Sequence, residues 1–351
     1  MTKPALTYWM INYRPRWEAV SKEVESLIAA MNGFFDVNFV SFNFKEKEPS
    51  FQGKFKRLPL PLSLPALPIM ARRARRGGIN HIFCGPAERF LAPRLANDSA
   101  IITISKNTKS IPAFERNLEN LRRFRYVVVE SERDQEILRQ AEFPPESVKL
   151  IYPGFEKKEY VPPEGPFSML FATAPFGSHD FLNRGIYLML HAAKRLPEVR
   201  FRLVWREHDY ERLIGLIQKS GVTNVEVLNG YIPDMDALYR TSHATILPGL
   251  DEHSLKPCPH SAIESLSHGK PLLVSRPTSL AGLVDRTGTG VVFEPNWRAL
   301  EAAIVELKTD YDKYQRNCHN LILEKFSHEG FVERYRKLYE SMGQKQSIHP
   351  K

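Results

Sequence analysis

Short apolar runs recur along the chain, each followed by a polar loop and then by a stretch whose apolar residues return every three or four positions. Runs of the first kind suit strands buried on both faces of a parallel sheet, and the periodic stretches suit the crossover helices that such a sheet requires. In the first half the expected strands are Leu6–Ile11, Phe35–Phe42, Ile79–Cys84, Ala100–Ile104, Tyr126–Val129 and Val148–Tyr152. The pattern restarts with Ser168–Thr173, Phe201–Trp205, Val225–Leu228, Ala244–Leu247 and Pro271–Val274. Helices are expected over 17–31, 132–141, 186–196 and 234–241, and after Pro259. Alternation of this kind predicts an α/β fold. Residues 155–166 interrupt it with prolines, mixed charge and no periodicity, and read as a linker between a domain at 1–154 and a second at 167–327.

The richest stretch runs from Thr245 to Ser275, TILPGLDEHSLKPCPHSAIESLSHGKPLLVS. Its two strands and intervening helix form a βαβ unit, with Pro257 and Pro259 stiffening the helix entry and Gly269 placed to cap its end. Free N–H groups and the positive dipole end of that helix face the crevice beyond the sheet, where an anion is the expected guest. Lys256 adds a full charge, and Ser261 a hydroxyl beside its backbone donor. Glu264, about one and a half turns into the helix, is an acceptor suited to sugar hydroxyls. Each residue alone fits an ordinary loop or helix position; their coincidence on one crevice loop marks a site.

Other loops at strand carboxyl ends also carry polar groups. Arg14 and Arg16 follow the first strand, Ser105 and Lys106 follow Ala100–Ile104, and Arg184 stands at the entrance of the helix over 186–196. Arg184 has the fork geometry to hold a diphosphate, and all three arginines equally fit solvated positions.

At 351 residues the chain exceeds one ordinary core, and a hydrophobic content of 42% is ample for two. The formal charge of +9 suits an anionic partner such as a nucleotide, a lipid headgroup or nucleic acid. Nucleic acid is set aside, because the basic residues are dispersed and no helix-turn-helix, zinc-finger or RNP signature occurs. Cys84, Cys258 and Cys318 are scattered without metal-ligand spacing, so a reducing cytoplasm, no metal and no cofactor are expected. No apolar run approaches the roughly 20 residues of a membrane span, and no signal peptide opens the chain. The Pro/Leu/Arg-rich stretch from Lys54 to Gly78 fits two descriptions: an element lying on anionic lipid through Arg72, Arg73, Arg75 and Arg76, or a crossover helix with those arginines in water.

Several ordered landmarks carry a resemblance: VESERDQEILRQAEFPPESVKLIYPGF, Asn183-Arg184-Gly185, VLNGYIPDMDALYRTSHATILP, HSAIESLSHGKPLLVS and GLVDRTGTGVVFEP. Together they resemble the retaining GT-B glycosyltransferases of family 4 (glycosyl transferases group 1). The resemblance implies two Rossmann-like domains facing a central cleft, with a nucleoside diphosphate sugar held by the second and a glycan or lipid-linked acceptor by the first. The terminal helix, 328–351, is expected to return to the first domain and end in a flexible tail.

On the same basis Glu264 matches the glutamate that binds the ribose, flanked by Ser261 and Ala262. Arg184 matches the basic residue that grips the diphosphate, and Gly230, Tyr231 and Ile232 match the backbone that cradles the base. Two departures stand out. Lys256 occupies the place of the family's first glutamate, as in a subset whose loop reads KPCPxSxxE, and the loop that follows Ala100–Ile104 reads SKNTK without the usual histidine. Departure of a diphosphate needs its growing charge stabilised, which Arg184, Lys256 and the helix start can do without metal. Surface polysaccharide or glycan assembly in the cytoplasm, on the inner face of the membrane, is the implied setting. The competing expectation is a noncatalytic nucleotide-sugar or glycan-binding protein on the same fold.

Overall fold

The computed structural model describes residues 3–10, 13, 18–41, 54–57, 68–69, 72, 77–84, 92–105, 114–175, 180–206 and 208–346. The chain divides into two compact units, Met1–Gly154 with Glu329–Lys351, and Phe155–His328.

The first unit is built on a parallel sheet of β1 (Ala5–Met10), β2 (Asp36–Ser41), β3 (Lys54–Arg57), β4 (Ile79–Cys84), β5 (Ala100–Ile104), β6 (Tyr126–Val129) and β7 (Val148–Leu150). Their order is β3-β2-β1-β4-β5-β6-β7. Apolar runs announce every strand here but β3. Lys-Phe-Lys-Arg lies at the sheet edge and pairs with β2 in the register Phe39↔Phe55. An edge strand is not buried like an inner one, so its sequence need not be continuously apolar.

Side chains of β1 alternate between two cores. Leu6, Tyr8 and Met10 face one, with Val24, Leu27, Ile28 and Met31 of α1 (Ala19–Met31). Trp9 faces the other, with residues of α2 (Ala92–Leu95), α3 (Phe114–Arg122) and α4 (Glu132–Gln140). Ser131 caps α4 by accepting from the Asp134 N–H at 3.1 Å.

The second unit holds β8 (Ser168–Thr173), β9 (Arg200–Trp205), β10 (Val225–Asn229), β11 (Ala244–Leu247), β12 (Leu272–Ser275) and β13 (Gly290–Phe293). They form a parallel sheet in the order β10-β9-β8-β11-β12-β13. Its helices are α5 (Asp180–Asn183), α6 (Ile186–Arg195), α7 (Tyr210–Ser220), α8 (Met235–Arg240), α9 (His260–Ser267), α10 (Ala281–Thr287), α11 (Trp297–Thr309) and α12 (Tyr311–Lys325). The larger core joins Met169, Phe171, Phe201, Leu203 and Ile246 to α6, α11 and α12, and a smaller one joins Leu170 and Val204 to Leu238 and Tyr239 of α8.

Residues 155–166, expected as a linker, lie within the second unit. Lack of periodicity signals irregular backbone, but not lack of docking. The Lys158 N–H bonds the Ser267 carbonyl at 2.9 Å. Lys270, which is 1% exposed, donates to the Val161 carbonyl and lies 4.7 Å from the Tyr160 ring centroid. Phe155 bonds Phe326 and His328 through the backbone at 2.7 and 3.1 Å, beside the point where the chain leaves the unit.

There α13 (His328–Gln346) begins, and Phe331, Tyr335, Leu338, Tyr339 and Met342 complete one core of the first unit. Of the stretch from Lys54 to Gly78, Arg72 is described and exposed; Arg73, Arg75 and Arg76 lie outside the described residues. Among the described residues no helix is long and apolar enough to cross a membrane.

Candidate active site

The second sheet steps outward from β8 through β9 to β10, then returns to the other side of β8 as β11. Strand order therefore reverses between β8 and β11, and a crevice opens beyond the carboxyl ends of strands at such a switch. Arg184 stands beside this point. Its guanidinium donates to the hydroxyl of Thr173, the last residue of β8. The Leu250 N–H bonds the Asn183 carbonyl at 2.8 Å and ties the loop after β11 to the loop after β8.

Gly185 makes that closeness possible. Its φ is +75°, and a Cβ there would sit 2.1 Å from the Pro248 carbonyl oxygen. No side chain fits, so the helix start is pressed against the exit of β11 only because residue 185 is glycine.

The loop from Pro248 to Pro259 is held by its own short bonds. Ser254 Oγ accepts from the Asp251 N–H at 3.1 Å and donates to the Asp251 carbonyl at 2.6 Å, while Ser275 at the end of β12 donates to the Gly249 carbonyl. Lys256 is half-buried on this loop, two residues before the fully buried Cys258. Pro259 precedes α9 in extended conformation and makes no capping bond with its own side chain. Ser261 is half-buried in its first turn and Ala262 is fully buried, its N–H engaged with the Pro259 carbonyl at 3.0 Å. Gly269, with φ +69°, follows the helix end as the sequence predicts.

Glu264 is half-buried, and its Oε2 accepts from the Tyr239 hydroxyl at 2.7 Å. Burial, and then the neighbouring Glu264 charge, push the Tyr239 hydroxyl well up, so it remains a donor. Half-buried Arg206, following β9, opposes that shift and brings a further positive charge to this end of the sheet. His268 stacks on the Tyr239 ring with centroids 5.4 Å apart. Neither Tyr239, His268 nor Arg206 is marked by the sequence pattern, since Tyr239 occupies an apolar helical position and its hydroxyl contact depends on another element.

The edge strand β10 runs into Gly230, with φ +82°, and Tyr231, which is 52% exposed; Ile232 packs against the smaller core. Arg184, Lys256, Ser261, Glu264 and the Gly230 turn thus all lie beyond strand carboxyl ends of one unit.

The first unit contributes less. Ser105 is buried directly after β5, whereas Arg14, Arg16 and Lys106 lie outside the described residues. Among the described residues no group of three or more His, Cys, Asp or Glu side chains is placed to hold a metal ion.

Residues 175–321 match the family of Glycosyl transferases group 1. No curated protein matches the chain. Solved structures similar to it include sucrose-phosphate synthase from Thermosynechococcus elongatus, with TM-score 0.77 at 16% identity over 97% of this chain and 100% of that one. Anabaena HepE in complex with UDP-glucose gives 0.77 at 15% identity, over 96% and 99%. WaaG, a glycosyltransferase involved in lipopolysaccharide biosynthesis, gives 0.70 at 12% identity, over 96% and 99%. The chain therefore has the two-domain α/β fold of the GT-B glycosyltransferases, and its second unit carries a Glycosyl transferases group 1 domain.

Proposed function

We propose that the protein is a retaining, metal-independent glycosyltransferase that moves a sugar from a nucleoside diphosphate sugar to a glycan or lipid-linked acceptor. The observation that carries this is a coincidence: the span matched to the group 1 family is the span that brings Arg184, Lys256 and the start of α9 to the sheet's switch point. The cations and the positive dipole end of α9 there can hold a diphosphate and stabilise it as it leaves. Glu264 is assigned to the ribose, the Gly230–Ile232 turn to the base, and the loop at Ser105, with Arg14, Arg16 and Lys106, to the acceptor. Retention would follow from acceptor attack on the face the diphosphate leaves. The setting proposed is surface-glycan assembly at the cytoplasmic face of a membrane.

UDP-sugars are the first donors to try, because HepE was captured with UDP-glucose. A bound donor stabilises the fold by mass action, by about 2.7 kcal/mol at a concentration one hundred times Kd. One member of a nucleoside diphosphate sugar panel should therefore raise the melting temperature. With an acceptor glycan present, the same donor should release nucleoside diphosphate, undiminished by a chelator, and give a product of unchanged anomeric configuration. Stabilisation without release, across the acceptor panel, would favour the noncatalytic binding protein, the reading supported by Lys256 in place of a glutamate.

A further inference from the structure

We propose that Tyr239 is a positioning residue of the donor site: its hydroxyl holds Oε2 of Glu264 and so directs the other carboxylate oxygen to the ribose. This rests on the assignment of Glu264 to the ribose.

The phenol is fixed from several sides. Its ring belongs to the core formed by Leu170, Val204 and Leu238, and the residue is 1% exposed. The helix that carries it is capped by Asp234, which accepts from the Ala237 N–H at 2.8 Å. His268 stacks on the ring at an interplanar angle of 23° and itself returns to α9, with Nδ1 2.7 Å from the Glu264 carbonyl oxygen. Asp236, one turn before Tyr239 on α8, lies 3.6 Å from His268 Nε2. Tyr239 and the backbone of Glu264 are thus held in one frame, and the 2.7 Å hydroxyl contact extends that frame to the carboxylate.

A glutamate side chain has three rotatable bonds, and without an anchor it must be ordered by the ligand at a cost in affinity. Packing alone would be served by phenylalanine. The hydroxyl adds a donor at the oxygen turned toward the core, and that donor is kept protonated by burial. A carboxylate accepts at both oxygens, so the second remains available for vicinal hydroxyls.

The test uses the full chain and titration calorimetry with UDP, GDP and ADP, each beside its 2′,3′-dideoxy counterpart. Wild-type protein should bind one of the three and prefer its ribose form. Tyr239→Phe keeps the ring, so its affinity for the dideoxy form should be unchanged, while its affinity for the ribose form should fall roughly tenfold, the scale of one hydrogen bond to a charged group. Titrations are run below the variant's own melting temperature. Equal losses for both forms, or an intact ribose preference, would overturn the proposal and leave the ribose assignment standing. In a second arm Glu264→Asp shortens the side chain, so a carboxylate held by Tyr239 no longer reaches the ribose; retention of the preference would overturn the proposal whether or not the Phe variant folds. Absence of any ribose preference in the wild type, or of binding by all three nucleotides, would remove the assignment and the proposal together.

Discussion

Lys256 and Glu264 sit on the same loop and helix, yet they are assigned to parts of the donor that behave differently during transfer. Charge builds on the diphosphate as it leaves, so a cation beside it acts more strongly in the transition state than in the ground state. Lys256→Ala is expected to lower kcat roughly 10²-fold or more with little change in donor KM. Ribose hydroxyls do not change, so Glu264→Gln should mainly raise donor KM. Steady-state kinetics with the melting temperature of each variant separate these outcomes from lost folding. Two kinetically silent variants would mean that the site lies elsewhere. Sequence alone makes these two residues visible because their charges stand on a polar loop between two apolar strands. Tyr239 stays hidden there, because its ring satisfies the same apolar pattern that phenylalanine would.

At the scale of elements, α13 is joined to the first sheet by a buried polar network. The Tyr339 hydroxyl lies 2.7 Å from Nδ1 of His81 on β4, and His81 Nε2 lies 2.7 Å from the Thr103 hydroxyl on β5, which is 2.9 Å from the Tyr335 hydroxyl. A neutral imidazole serves both partners, as donor with one nitrogen and acceptor with the other. Burial lowers the His81 pKa from 6.5 to about 3. The folded pKa is depressed, so this stabilisation is present above the unfolded value and lost as pH falls from 6.5 toward 3, while the unfolded chain takes the proton. Relative to a His81→Gln protein, wild type should lose about 2 kcal/mol of unfolding free energy between pH 7 and pH 5. Urea unfolding of both proteins at the two pH values measures this. A constant difference between them would show that His81 does not titrate on unfolding.

For the whole molecule, the net charge of +9 favours an anionic environment, and the stretch around exposed Arg72 concentrates part of it beside leucines. We expect binding to anionic liposomes, with each arginine near the surface contributing about 1 kcal/mol at low salt. In flotation, a protein with Arg72, Arg73, Arg75 and Arg76 changed to Gln should stay with the soluble fraction. Equal flotation of wild type and variant would remove lipid contact and leave the crossover-helix description of this stretch.

By itself the sequence determined the inner strands of both sheets, their alternation with helices and the polar loops at their ends. Burial of an inner parallel strand demands a local, contiguous apolar run, and so leaves a local mark. It did not determine β3, whose edge position relaxes that demand, or the docking of residues 155–166, whose bonds to Ser267, Phe326 and Lys270 come from segments over a hundred positions away. Tertiary structure alone decided that strand order reverses between β8 and β11, that Gly185 meets Pro248, and that Tyr239 reaches Glu264. Each of those depends on which distant elements become neighbours, and a side chain's propensity or period carries no record of its partner.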